Sequence, residues 1–260
     1  MKLKELLCNR HFQLGAVIVI LGLVPIFVNN ASVMHVAVML LLYVILALGL
    51  EIALGITGLF SLCHAAFYGM GAYASALLTL RLGVSFWIAL PVGALCACLF
   101  GILIGLPALR TNGDYLAIAT LGFGEIFRLL LINGGDFTRG PRGLPGIPRP
   151  QLFGLDFSSK TTYFYLILVF AVIIFLIVLN IPRTFFGRAL MAVRDDETAA
   201  LMTGIDVTSI KVAAFTLSGA YAAVAGCLFA LHVQFISPDD FGYAHSIASL
   251  SMLIVGGEGS

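Results

Sequence analysis

Gly187 to Gly204, GRALMAVRDDETAALMTG, is a charged, alanine-rich stretch set between two hydrophobic runs that carry no charge at all. Residues 161–182 and 212–238 contain no Asp, Glu, Lys or Arg, whereas 183–211 holds four basic and four acidic residues. Apolar runs of about 20 residues match the thickness of a bilayer's hydrocarbon core. The stretch therefore reads as a water-facing element pinned between two membrane spans, where a soluble partner can push on it. Its own residues predict a short helix. Asp195, Asp196 and Glu197 place negative charge at a helix start, where unpaired N–H groups favour it. Ala199, Ala200 and Leu201 continue the helix, Gly204 supplies its stop, and Asp206 caps the next span.

Composition extends this reading to the whole chain. Of its 260 residues, 60% are hydrophobic and 10% charged, and the mean hydropathy is +1.07. A soluble domain needs roughly 25% charged residues to cover its surface, so most of this surface faces lipid. A net charge of +1 with thinly spread Lys and Arg excludes the basic stripe of a nucleic-acid binder. The five cysteines (Cys8, Cys63, Cys96, Cys98, Cys227) form no C-x-x-C pair and have no His at metal-ligand spacing. They read as small packing residues, and no metal site is expected. The scattered histidines are assigned no chemistry.

Charge-free intervals, with one further run (115–132) that is hydrophobic except for Glu125 and Arg128, predict an all-α, polytopic membrane protein with about eight crossings. They fall near 14–28, 33–50, 64–80, 82–109, 115–132, 161–182, 212–238 and 241–257, within one membrane-embedded unit over 1–260. Lys2, Lys4 and Arg10 precede the first run, which has no clean cleavage site after it and reads as a retained anchor. Gly55 and Gly58 predict a break near 55–63. Threading the spans with the N-terminus in the cytoplasm puts eight basic residues inside and six outside. That is a small positive-inside bias, and it places 183–211 in the cytoplasm. The one long outer loop, 133–160, is rich in Gly and Pro and predicted to lack regular structure.

Small residues recur every fourth position at Ala89, Gly93, Ala97, Gly101 and Gly105, and again at Ala214, Ser218, Ala222, Gly226 and Ala230. Such stripes let helix backbones approach closely, and packing within the chain is the expected use. Glu125 and Arg128 stand three apart on one helical face and are expected to pair near the outer interface. Glu51 sits at the inner end of its helix, within reach of water. Ser237-Pro238-Asp239-Asp240 reads as a helix start. Tyr73, Thr120 and Glu125, polar groups within apolar helices, are the candidates for a pathway lining. No G-x-x-x-x-G-K-[ST] loop is present, and no nucleophile–base pair suggests an enzyme.

Here the motifs meet a family. Gly187-Arg188-Ala189, Arg194-Asp195-Asp196-Glu197 and Ala199-Ala200-x-x-x-Gly204 resemble the cytoplasmic coupling loop of ABC importer permeases, and more narrowly the branched-chain amino-acid permease family of LivM type. GLFSLCHAAFYGMGAYASALL (58–78), LRTNGDYLAIATLGFGEIFR (109–128), GLPGIP (143–148), FISPDDF (235–241) and GGEGS (256–260) are similar to that family's ordered motifs. Two departures stand out. The general importer loop reads Glu-Ala-Ala-x-x-x-Gly, but here Thr198 precedes Ala199-Ala200 and Glu197 is one place earlier. The family also continues beyond GGEGS with further membrane helices, so this chain is expected to stop short of the family's length.

The resemblance implies a permease subunit, not itself an enzyme, of an ATP-driven importer in a bacterial inner membrane. Its substrate would be branched-chain amino acids delivered by a periplasmic binding protein. A second permease would complete the pathway, and two ATPase subunits, which bind the ATP and Mg, would grip 187–204. Urea, short amides or other amino acids are alternative substrates. An ion-coupled secondary transporter is the competing class: the break at 55–63 and the repeat of Gly-Ala-Tyr-Ala at 71–74 and 219–222 fit it in part, but midplane acids are missing.

Overall fold

The computed structural model describes Gly22, Pro25 and residues 30–257, except 110, 112, 150, 153, 154, 157 and 158. The run at 14–28, Cys8 and the N-terminal basic residues lie outside the described residues. Nearly everything described is helix.

Helix α1, Ala31–Leu50, opens where the Asn30 side chain accepts from the Ser32 N–H at 3.0 Å. It is apolar all round. Met34, Val38, Leu41, Leu42 and Ile45 face the core, while Val36 and Leu40 lie exposed, as a membrane helix requires. It runs on as a π-helical turn, Glu51–Ile56, and then the chain leaves helical form until α2, His64–Leu82. The predicted break is there, and its ends are tied. Thr57 Oγ1 donates to the Ile52 carbonyl at 2.7 Å, and the Leu59 N–H to the Ala53 carbonyl at 2.7 Å. Thr120 Oγ1 accepts from the Leu62 N–H, Ser246 Oγ from the Ala65 N–H, and the His64 ring bonds the Leu46 carbonyl. Irregular backbone at membrane depth is tolerated where protein groups replace the lost helical bonds.

Helix α2 is buried on almost every side. It crosses α8, Val207–Val233, with their backbones in contact. A Cβ on Gly71 would lie 1.9 Å from the Ala223 carbonyl oxygen, and one on Gly226 would lie 1.8 Å from that of Tyr68. Helix α3, Phe86–Ala108, completes the trio. Its predicted stripe is buried from Ala89 to Gly105, and so is the facing stripe from Ala214 to Ala230 on α8. Gly101 meets Thr216, Gly93 meets Cys227, and the Cys227 thiol donates to the Gly71 carbonyl at 3.2 Å. Both stripes are thus used inside one chain.

Helix α4, Asp114–Asn133, lies at the edge with Tyr115, Ile118 and Leu130 outward. Helix α5, Lys160–Asn180, is capped by Ser159 and packs on α1. Helices α6, Phe185–Asp195, and α7, Glu197–Met202, lead into α8, and α9 is Tyr243–Gly256.

Five described helices are long and apolar enough to cross a membrane: Ser32–Ile56, Phe86–Ala108, Tyr115–Asn133, Lys160–Arg183 and Val207–Val233. Of the seven predicted spans that fall within the described residues, 64–80 and 241–257 are not among these five, and the eighth, 14–28, lies outside the described residues. Helix α2 has the length but is rich in Gly, Ala, Ser, Thr and Tyr, and most of it is buried against protein. Helix α9 has 14 residues, a rise of about 21 Å against a core of about 30 Å. The predicted span 212–238 also shifts. Helix α8 starts at Val207 on the Asp206 cap and ends where Gln234 turns left-handed, at φ 59°. Ser237 to Asp240, expected to start a helix, form a capping box on a 3-10 turn, Pro238–Phe241, and the α-helix starts two residues later.

The loop 133–160 is more ordered than its composition predicts. Leu144-Pro145 pairs antiparallel with Phe235-Ile236, and the N–H groups of Gly146 and Ile147 donate to the Gln234 carbonyl. A second pair joins Gln151-Leu152 to Leu155-Asp156. Leu144 and Ile147 are buried, so apolar anchoring overrides the Gly and Pro content.

Candidate functional site

The segment from Ile181 to Lys211 closes one end of the bundle, opposite the loop 133–160. Two helices stand where the sequence predicts one. Thr184 caps α6 by accepting from the Gly187 N–H at 3.0 Å. Gly187, Ala189, Leu190 and Val193 form the buried face of α6, an amphipathic pattern that the acidic residues after it obscured. Gly187 is fixed by contact, since a Cβ there would lie 1.9 Å from the Ile181 carbonyl oxygen. Helix α6 ends at Asp195. Asp196 is extended (φ −159°) and its Oδ1 accepts from the N–H groups of Thr198 and Ala199, at 2.8 and 3.0 Å. The helix start therefore falls at Asp196 alone, because two consecutive helices need one extended residue between them. Gly204 stops α7 as predicted, at φ 85°, with the Ile205 N–H reaching back to the Ala200 carbonyl. Asp206 caps α8 by accepting from the Ser209 N–H and hydroxyl, and these bonds hold its carboxyl below its usual range.

Most of the segment's charge is spent on building it. Lys211, only 5% exposed, forms an ion pair with Glu197, which ties α7 to the first turns of α8. Arg188 donates to the Arg183 carbonyl at 3.1 Å. Arg194 turns inward: its Nη1 donates to the Gly55 carbonyl, and its stem lies over Gly58. Of the predicted coupling residues, Gly187, Ala189 and Ala200 are buried, Arg188, Asp195, Asp196, Ala199 and Gly204 are exposed, Glu197 is half-buried, and Arg194, although exposed as a residue, directs its guanidinium inward. The large exposed apolar side chains here are Phe185, at 80%, Leu201 and Met202, at 80%. Sequence reading takes Leu201 only as a helix former and passes over Phe185 and Met202. The signal was present, because three bulky apolar residues in a charged, water-facing stretch have no core to fill.

Behind Arg194 a cavity of about 550 Å3 opens between the end of α1, the end of α5, α6 and the end of α9, with Glu51, Arg183 and Arg194 among its lining.

The three predicted pathway residues lie around one junction but do not line one cavity. Thr120 is fully buried and holds the break through Leu62, while donating to the Ala117 carbonyl at 3.0 Å. Glu125 is half-exposed and pairs with Arg128 at 2.9 Å, as expected. Arg128 also reaches Asp239 at 2.6 Å, which fastens α4 to the Pro238–Phe241 turn. Tyr73 packs edge-on against Phe241, ring centroids 5.7 Å apart, and its enclosed hydroxyl has no hydrogen-bond partner among the described residues. Glu125 and Phe241 border a narrow cleft with Leu62 and Ser246. No cluster of three or more His, Cys, Asp or Glu fit to hold a metal occurs among the described residues.

A family profile described as branched-chain amino acid transport system / permease component matches residues 32–260. The chain is 42% identical to the high-affinity branched-chain amino acid transport system permease protein LivM of Salmonella typhimurium, covering 95% of this chain and 63% of that protein. It is 40% identical to LivM of Escherichia coli K12, over 91% and 61%. It is 31% identical to the autoinducer 2 import system permease protein LsrC of Yersinia enterocolitica, over 64% and 46%. The chain thus spans about three fifths of the length of the LivM relatives. No solved structure matches it. By the profile and the LivM identity together, the chain belongs to the branched-chain amino acid transport system permease family.

Proposed function

We propose that the chain is part of a permease subunit of an ATP-driven importer in the bacterial inner membrane, carrying branched-chain amino acids. The observation that supports this best is the construction of the Phe185–Asp206 segment in a chain of this family. It is a rigid helix pair outside the spans, tied to α8 by Glu197–Lys211 and to α1 by Arg194–Gly55. Its bulky apolar side chains point away from the bundle. Two ATPase subunits, which hold the ATP and Mg, would seat such a face. Phe185, Leu201 and Met202 would fill a groove on the ATPase, with Arg188, Asp195, Thr198 and Ala199 at the rim. A periplasmic binding protein would deliver substrate at the end carrying 133–160, and a second permease would complete the pathway against the exposed faces of α3 and α4. The N-terminus is then cytoplasmic.

In this mechanism, closure of the ATPases moves α6 and α7 as one body. Arg194 carries that motion to the Glu51–Cys63 break, and Leu62 carries it to Thr120 on α4. The access change is a rigid-body shift of packed helices about the break. Tyr73 and Glu125 lie beside the moving junction and are the proposed lining.

Transport in vesicles tests the reading, using the full-length chain with its second permease and ATPases. Uptake of leucine, isoleucine and valine should require ATP and exceed that of urea and short amides. Uptake driven by an ion gradient without ATP overturns it.

A further inference from the structure

At the end of the bundle that carries loop 133–160, three helix ends bring basic and imidazole groups to one mouth. His35 lies in the second turn of α1 and His232 in the last turn of α8. Their rings stack with centroids 4.8 Å apart, and His232 Nε2 is 2.8 Å from His35 Nδ1. Tyr163 of α5 stacks on His232 at 5.6 Å, its hydroxyl donating to the Leu228 carbonyl. A pocket of about 270 Å3 opens there, and Arg149 and Lys160 complete its polar lining. Among the described residues no carboxylate lines it.

The imidazole pair has a defined hydrogen-bonding sense. At this separation one ring donates and the other accepts. A neutral accepting ring must carry its own proton on its remaining nitrogen. The pair therefore always presents at least one N–H away from the shared bond. Lys160 adds an ammonium and Arg149 a guanidinium. Such a set suits an oxyanion that accepts several charge-assisted bonds at once. The pocket opens at the helix ends, where a lipid headgroup would sit, and exposed Val36 and Leu40 continue along α1 below His35.

We propose that His35, His232, Arg149 and Lys160 form a binding site for a phosphate-type oxyanion, a function separate from the transport pathway and from the Phe185–Asp206 segment. The phosphate belongs either to an anionic phospholipid headgroup or to free phosphate, and both offer the same oxygens to these donors.

The test uses the full-length chain purified with its partner subunits. One arm measures retention of phosphatidylglycerol against phosphatidylcholine by native mass spectrometry. The other titrates inorganic phosphate by calorimetry. The variants are Lys160→Gln and His232→Gln, with Arg142→Gln, an exposed cation at the same end, as the control. Each pocket variant should lower the affinity about ten-fold, as expected for losing one charge-assisted bond, and the control should not. Selective loss of phosphatidylglycerol assigns a lipid headgroup, and loss of the phosphate isotherm assigns the free anion. Lys160 is exposed on the first turn of α5, so its exchange for Gln leaves the fold in place and any loss is one of binding. Binding of both probes that is absent in the parent chain, or unchanged in Lys160→Gln and His232→Gln, overturns the site.

Discussion

Arg194 and Gly55 lie 139 positions apart in the chain and are joined by a hydrogen bond from the guanidinium to the peptide carbonyl. The bond links the end of α6 to the π-helical turn that closes α1, so a surface segment grips an irregular stretch of a membrane-embedded helix. Its acceptor is a main-chain atom, so no neighbouring side-chain substitution can supply or replace it.

Arg194→Met keeps much of the stem over Gly58 and deletes the donor. ATPase subunits should co-purify as before, while substrate uptake falls about ten-fold, the scale of a coupling element worth about 1–2 kcal/mol. Uptake unchanged beside normal ATPase association removes Arg194 from the transmission route. Gly187→Leu separates the two failures, because it forces α6 away from Ile181 and should reduce assembly itself.

Glu197→Gln removes the carboxylate from a lysine that is almost entirely buried. Thermal unfolding of Glu197→Gln, Lys211→Met and the double variant should give a coupling energy of about 1 kcal/mol or more, with the double variant more stable than the sum of the singles. Additive losses would show that α7 is held by other contacts.

Thr120→Val keeps shape and volume but leaves the Leu62 N–H without its acceptor. The expected destabilisation is about 1–2 kcal/mol, recovered in Thr120→Ser. Amide exchange at Leu62 should accelerate in the valine variant only, and a protected Leu62 there would contradict the assignment.

The Asp206 cap sets one pH dependence. Its carboxyl is held below the usual range by Ser209, so the folded state binds its proton less readily than the unfolded chain. The cap's contribution is therefore fully present above the unfolded value of about 3.9 and is lost as pH falls through the lower folded value. Protection of the Ser209 amide should be flat from about pH 7 to 5 and drop only in strong acid. Asp206→Asn should abolish that drop.

Much of this was legible beforehand where the controlling information is local. Gly204 and Asp206 are read from the needs of a helix end and a helix start. The break at 55–63 is read from its glycines, and the Glu125–Arg128 pair from helical spacing. The two stripes of small residues carried their own explanation. Long-range choices were hidden. Nothing near Thr120 announces that its hydroxyl is reserved for Leu62, 58 positions away, and nothing near Arg128 names Asp239. The amphipathic face of α6 was masked by the acids that follow it. The Gly- and Pro-rich loop 143–148 is ordered by Gln234–Ile236, a partner that composition cannot supply. Helix α2 looked like any other span, although it is the one most enclosed by protein.

The contact of α2 with α8 at Gly71–Ala223 and Gly226–Tyr68 makes those helices one stiff plate, since carbonyls against Cα atoms leave no rotamer to absorb displacement. Helix α8 has 27 residues and is about 40 Å long. A tilt of about 5° applied at Asp206 therefore reappears at Gln234 as a displacement of about 3.5 Å. The strand pair Leu144–Pro145 with Phe235–Ile236 rides on that far end. A nudge at one face of the membrane would thus arrive at the other as a swing of the loop 143–148, without any helix having to bend.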